Sequence, residues 1–337
     1  MTADNHIIII AEAGVNHNGD LDIARRMVRA AREAGADYVK FQTAVPELVI
    51  SAFAPKAEYQ KETTGAAESQ LDMCRAIHLP LTDYAGLAEL CRLEGIGFMS
   101  TPFDLVSIDC LDALGMDWWK IPSGEITNLP YLRKIASKGG RVILSTGMST
   151  LDEVEEAVAV LERGGIPRHD IILLHCTTQY PTPMKDVNLR AMLALTAVGC
   201  GAVGYSDHTQ GITVPVAAAA LGARVIEKHF TLDRNMPGPD HKASLEPDEL
   251  AAMVRAVRDV EQALGSGEKV VAESERPNIE VARKSIVAAR DIRAGETLTP
   301  ENITVKRPGN GISPMLWDEV VGRTAPRDFG YDELIEL

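Results

Sequence analysis

Eight short apolar runs constrain what this chain can become: HIIIIAEAG, YVKFQT, GFMSTPF, WWKIPSGE, RVILSTGM, IILLHCT, AVGYSDHT and RVIEKHFT. Each is rich in Val, Ile or aromatics and does not alternate apolar with polar residues. That is the pattern of a strand covered on both faces of a parallel sheet. Segments with helical apolar spacing lie between most of them, among them LDIARRMVRAAREAG, LTDYAGLAELCRLEG, TLDEVEEAVAVLERGG and PDELAAMVRAVRDVEQALG. Several open on an Asp or Thr cap and close on Gly, so the start and stop signals agree with the period. Eight strand-then-helix units predict an α/β fold, a closed (β/α)8 TIM barrel of about 250 residues. A doubly wound open sheet competes, but it calls for fewer strands and a Gly-rich phosphate turn that this sequence lacks.

The 337 residues carry a net charge of -14, which argues against nucleic acid or an anionic membrane surface as partner. An anionic small substrate stays compatible if lysines gather locally. No run reaches the roughly 18 apolar residues of a membrane span, and the start MTADNH lacks a signal-peptide pattern. Five scattered cysteines, Cys74, Cys91, Cys110, Cys176 and Cys200, show no CxxC spacing, and an odd number cannot all pair within the chain. Reduced thiols in a cytoplasmic protein are the simpler expectation.

The barrel is expected over residues 1–265. The polar stretch GSGEKVVAESERPN then suggests a linker over 266–282, and short β-rich runs separated by Gly, Pro and Asn turns fill 283–337. A domain of about 55 residues is near the lower limit for an independent core, so it is expected to dock on something. Residues 45–80, with no strong strand pattern, read as a barrel-top insertion that lines or covers a site.

In a barrel the chemistry sits at the C-terminal ends of the strands. His208 and His229 end the last two runs, and two adjacent imidazoles suit a divalent transition metal, with Asp207 and Glu227 beside them. Either histidine alone reads equally well as a structural group. Lys40 and Lys120 sit inside apolar strands, where a lysine needs an anion or a depressed pKa. Phosphate or carboxylate binding is one resolution and a Schiff-base nucleophile another. Alternation turns Lys228 outward to the helix layer. Hydroxyls recur at the same level in Thr101, Ser123, Ser145, Thr146 and Ser206, as turn chemistry or as a shared oxyanion site. Glu12, Glu125 and Glu227 add carboxylates, for proton handling or for balancing the lysines.

The ordered segments IIAEAGVNHNGD, VKFQT, STPF, KIPSGE, ILSTGMS, HCTTQYPTP, GYSDHT, IEKHFT, GPDHKASLEPDEL and VKRPGNGISP give the chain a strong resemblance to the sialic acid synthase family, the bacterial nonulosonic acid synthases. The tail resembles that family's SAF domain, which is similar to type III antifreeze proteins. The resemblance implies condensation of phosphoenolpyruvate with the open-chain aldehyde of an N-acetylated mannose-type sugar, giving a nine-carbon 2-keto-3-deoxy acid and phosphate. It implies Mn2+, with Mg2+ or Co2+ as alternatives, on His208 and His229. It implies phosphoenolpyruvate contacts from Lys40, Thr101, Lys120, Ser123, Ser145 and Ser206, and an acid near the developing positive charge at Glu125. Glu12 and Glu227 are the candidates for proton handling. Sugar contacts are implied at Tyr180, at Asp240 and, across a domain-swapped homodimer, at Arg307. Members that use N-acetylmannosamine commonly carry HCTNxYP, where the Asn faces the sugar, whereas this chain has Thr178 and Gln179. CTTQYPTP, HKASLEPDEL, VARKSIVA and GNGISPMLWDEV look most like the legionaminic acid branch, whose acceptor is 2,4-diacetamido-2,4,6-trideoxymannose. The neuraminate and pseudaminate branches rank second and third. A Schiff-base aldolase without metal, or a pure binding protein built on the tail, are the readings from other classes.

Overall fold

All eight apolar runs form strands: β1 (Ile8–Gly14), β2 (Tyr38–Thr43), β3 (Gly97–Pro102), β4 (Trp118–Ile121), β5 (Arg141–Ser145), β6 (Ile171–His175), β7 (Ala202–Asp207) and β8 (Val225–His229). The structure is a computed structural model that describes residues 6–57, 60–61 and 69–337. The strands pair in parallel in the order β3-β2-β1-β8-β7-β6-β5-β4, and β3 lies beside β4, which closes the TIM barrel. A helix follows each strand: α1 (Leu21–Ala34), α2 (Tyr84–Glu94), α3 (Leu105–Asp112), α4 (Leu129–Lys138), α5 (Leu151–Arg163), α6 (Ala191–Ala194), α7 (Thr213–Ala220) and α8 (Pro247–Leu264). The predicted caps hold two of them. The Asp20 side chain accepts from the amides of Asp22 and Ile23, and Thr150 with Glu153 forms a capping box at α5. Gly35 ends α1 in the left-handed conformation at φ 86°.

Strand alternation sorts each run into two faces. Outward residues such as Ile9, Val39, Ile121, Leu144, Leu173 and Val203 pack against the helices in the main core. Inward residues fill the barrel from the bottom: Ile10, Met99, Trp118, Ile143, Ile172, Leu174 and Val225 form a separate apolar plug. Polar side chains take over one step further along each strand, so the plug is the floor on which the functional residues stand.

The insertion after β2 forms short helices at Pro46–Val49 and Gln70–Ile77, while residues 58–59 and 62–68 of that stretch lie outside the described residues. The chain divides into two units between Gly265 and Ser266. Within the second unit, β9 (Ser285–Ala288) pairs antiparallel with β10 (Ile303–Lys306) around a core of Ile286, Ile292, Leu298, Ile303, Phe329 and Ile335. The stretch expected to be a linker, 266–282, is only partly one. Its last seven residues form the helix Arg276–Ala282, which belongs to this unit because the Glu280 carbonyl accepts from the Gly309 amide at 2.6 Å.

Met99 is fully buried in the barrel plug. Met99→Ala is expected to cost about 2–5 kcal/mol in urea unfolding, with a loss under 1 kcal/mol arguing that the plug is not close-packed.

Candidate active site

The polar layer above the plug is built around four buried charges. Lys40 Nζ lies 2.6 Å from Glu12 Oε2 and 3.8 Å from Glu227 Oε2, and Lys120 Nζ lies 3.4 Å from Glu227 Oε1. All four side chains are nearly inaccessible to solvent. Hydroxyls from neighbouring strands complete the set. Lys40 donates to Thr101 Oγ1 at 2.8 Å, Lys120 to Ser145 Oγ at 2.9 Å, and Ser206 Oγ to Glu227 Oε1 at 2.8 Å. Burial pushes Glu12 up from the usual carboxylate range, with nearby Glu227 adding to the rise and Lys40 opposing it. Burial acts to raise Glu227 as well, but Lys120 and Lys40 together outweigh it and hold that carboxylate low. Burial lowers Lys120, against the attraction of Glu227. Two ammonium groups and three hydroxyls at one level can take a small polyanion, which would displace the carboxylates from part of their contacts.

The histidines close the adjoining edge. Their ring centroids are 5.3 Å apart, and the Tyr180 ring lies tilted against His208 with centroids 4.1 Å apart. His208 Nδ1 is bonded to the Thr177 carbonyl at 2.6 Å, which directs Nε2 as the free lone pair. His229 Nδ1 is buried with no hydrogen-bond partner, and it stands 4.0 Å from Asp240 Oδ2. Burial lowers His208 to about 4 and pushes His229 well below the ordinary value, so both rings are neutral near pH 7. Burial also raises the Asp240 carboxyl to about 6. No group of three His, Cys, Asp or Glu stands in a metal-holding arrangement among the described residues. The orphaned nitrogen and the two neutral imidazoles nevertheless fit a divalent ion held by two protein ligands, with the other positions left to water and substrate.

These groups share one cavity of about 330 Å³, at the small end of ligand pockets. Of the predicted residues, Glu12, Lys40, Thr101, Lys120, Ser123, Ser145, Thr178, Tyr180, Ser206, His208, Glu227, His229 and Asp240 all line it. Glu125 does not: it follows Gly124 in the turn after β4, where its Oε2 accepts from Asn128 at 2.6 Å, and partial burial raises its pKa. Arg307 lies in the second unit and donates to the Ala282 carbonyl at 3.1 Å. Two readings need correction. Thr146 turns back into the sheet and donates to the Leu174 carbonyl at 3.0 Å. Asp207 turns away from the histidines to pair with Lys228, because Ser206 and His208 on either side of it occupy the inward face.

Sequence reasoning missed Gln42, which donates to Glu12 Oε1 at 3.1 Å and shares the face of Lys40 by simple alternation. It also missed Cys176, whose sulfur lies 3.2 Å from Ser123 Oγ while the Gly147 amide donates to that same hydroxyl at 2.9 Å. A Cβ at Gly147 would come within 2.7 Å of the Thr178 methyl, so this approach admits only glycine. The insertion, as expected, lines the cavity, and it does so mainly with apolar groups: Val49, Ile50, Met73 and Ile77.

The loop after β1 braces this edge from below. Asn16 Nδ2 donates to the Phe230 carbonyl and to Ser244 Oγ, both at 2.9 Å. His241, next to Asp240, bridges Thr231 at 2.8 Å and Asn18 at 3.3 Å.

The sequence matches the NeuB family model over residues 27–269 and the SAF domain model over residues 283–336. It is 52% identical to the N,N'-diacetyllegionaminic acid synthase of Campylobacter jejuni, over 97% of this chain and 98% of that one. It is 48% identical to the enzyme of the same name from Legionella pneumophila, over 93% and 89% of the two chains. Among solved structures it resembles N-acetylneuraminic acid synthetase from Leptospira borgpetersenii, in complex with citrate. That match has a TM-score of 0.71 and 35% identity, covering 82% of this chain and 90% of that one.

His17, behind the cavity, gives a pH test of the burial at this edge. Burial lowers it from 6.5 to about 4. Its stabilising contribution is therefore complete above pH 6.5 and is lost as the pH falls toward 4, where the unfolded chain takes up a proton that the folded chain refuses. His17→Phe removes this dependence. Between pH 7 and 5 the urea midpoint of the wild type should fall relative to the variant, and parallel curves would show that the imidazole is not buried neutral.

Proposed function

The chain belongs to the NeuB family, and from that premise we propose that it condenses phosphoenolpyruvate with 2,4-diacetamido-2,4,6-trideoxymannose to give a diacetamido nonulosonic acid and inorganic phosphate. The observation that carries this reading is the division of the cavity. Cations and hydroxyls suited to a phosphorylated carboxylate form its floor, and an apolar wall of Val49, Ile50, Met73 and Ile77 stands in the same cavity. An acceptor with a methyl at C6 and an added acetamido group at C4 suits such a wall better than one with a hydroxymethyl. Thr178, in the position where N-acetylmannosamine-using members commonly carry Asn, points the same way, as do the two legionaminic acid synthases among the relatives.

Lys40 with Thr101, and Lys120 with Ser145 and Ser206, bind the carboxylate and phosphate of phosphoenolpyruvate, and Ser123 adds a hydroxyl held by Gly147. Their positive charge is offset at rest by Glu12 and Glu227, so binding exchanges one set of buried anions for another. The enol C3 attacks the aldehyde carbon and forms the new C–C bond. Water then adds at C2, and cleavage of the C2–O bond expels phosphate. Glu12 and Glu227 are assigned the acceptance and return of the protons of these steps. Glu125 stabilises the positive charge that develops at C2, which requires its side chain to turn from Asn128 toward the cavity. Tyr180, Thr178 and Asp240 contact the sugar. His208 and His229 would hold Mn2+, or alternatively Mg2+ or Co2+. A divalent ion there supplies Lewis-acid polarisation of the aldehyde oxygen. We assign Arg307 a sugar contact in the partner's barrel of a domain-swapped homodimer, and five scattered cysteines without CxxC spacing suit a reducing cytoplasm.

Phosphate release is the assay. Metal-supplemented wild type should prefer the diacetamido acceptor over N-acetylmannosamine by about 10- to 100-fold in kcat/KM, and the reverse preference would move the chain to the neuraminate branch. In the same assay His229→Ala should lose metal-dependent turnover while remaining folded. Borohydride trapping of pyruvate on a lysine would favour the aldolase reading instead. Arg307→Ala should raise the acceptor KM and leave the KM for phosphoenolpyruvate unchanged. An unaltered acceptor KM would remove that residue from the site.

A further inference from the structure

The residues between the cavity-facing ones on β7 and β8 form a second polar cluster, on the opposite side of the sheet. Lys228 Nζ lies 2.6 Å from Asp207 Oδ2, and both side chains are fully buried. The two residues are direct partners in the β7–β8 ladder, and the adjacent partners Ser206 and Glu227 face the cavity. Thr209 completes the cluster. Its amide and its hydroxyl donate to Asp207 at 3.1 and 3.0 Å, and its carbonyl accepts from Lys228.

Such a pair gives little net stability, because the desolvation of two charges offsets their attraction and apolar replacements are often as stable. Its effect is positional. Asp207 and Thr209 flank His208 in the chain, so the main chain of that histidine is gripped on both sides. Lys228 immediately precedes His229 and is tied to the same two residues. A one-residue slip of β8 against β7 would turn His229 out of the cavity, away from His208, and leave Asp207 buried without its partner.

We propose that Asp207, Lys228 and Thr209 form a positioning clamp that fixes the separation of His208 and His229, and so sets the affinity for a divalent metal without touching it. This rests on the reading of the two histidines as the metal pair. The pair in the helix layer and the imidazoles in the cavity are then two faces of one device, read off alternate residues of two strands.

Mn2+ binding to the full-length, metal-stripped protein tests it, with free Mn2+ followed by electron paramagnetic resonance and urea unfolding of each variant measured in parallel. The wild type should bind Mn2+ and His208→Ala should not. The double replacement Asp207→Leu with Lys228→Met should keep the unfolding midpoint but weaken Mn2+ binding by about 10- to 100-fold, the size of effect seen when outer groups that orient metal ligands are removed. Thr209→Val, which removes only the hydroxyl contact, should weaken binding by a smaller factor of about 3 to 10, and it supplies the test if the double variant does not fold. Lys228→Arg, keeping the charge, should stay near the wild type. Wild-type affinity in a folded double variant, or in Thr209→Val, would overturn the clamp while leaving the metal pair intact. Unchanged binding in His208→Ala would instead overturn the metal assignment, and the clamp with it.

Discussion

Two lysines buried at the floor of the cavity, above the apolar plug of a parallel barrel, govern this molecule. Lys40 and Lys120 stand on β2 and β4, with β3 between them in the closed barrel, and neither can reach water. An ammonium group in that setting is tolerated only beside anions and hydroxyls. These come from β1, β3, β5, β7 and β8, as Glu12, Thr101, Ser145, Ser206 and Glu227. The charges are thus satisfied only when these seven strands are in register in the closed barrel, so the requirement that stabilises the polar layer also assembles the site.

Above that layer the cavity is chemically divided. Its floor is charged, one edge carries two imidazoles kept neutral by burial, and the insertion after β2 supplies an apolar side. Under the proposed function, the division separates the work of binding an anion from that of choosing a second reactant. Condensing enzymes must hold a reactive enol and a neutral carbonyl in contact, and different physical forces then act on each. Behind the imidazoles, the Asp207–Lys228 pair keeps the same alternation of faces from slipping.

The strands and much of the site were legible in the sequence for one reason. Parallel strands covered on both faces read as unbroken apolar runs, and their C-terminal ends point at one place in a barrel. The misreadings came from the two-residue period. Asp207 sits beside His208 in the chain, but neighbouring residues face opposite sides of a strand, so it belongs to the helix layer. Gln42 was overlooked although the same period puts it beside Lys40. Thr146 lies one residue past Ser145 and turns to a main-chain carbonyl for the same reason. Cys176 carried no signal of its own, because a small buried thiol in an apolar run looks like packing.

Sequence alone determined the eight strands, the helices between them, the pair of histidines, the buried lysines and the family resemblance, since all of these rest on local composition and spacing. Only the tertiary structure decided which charge neutralises which. Glu227 is shared by both lysines, Glu12 serves Lys40 alone, and Glu125, by every sequence criterion their equal, bonds to Asn128 outside the cavity. The physical reason is that pairing between these buried charges depends on separations of 2.6 to 3.8 Å across strands far apart in the chain, and no local pattern encodes those distances.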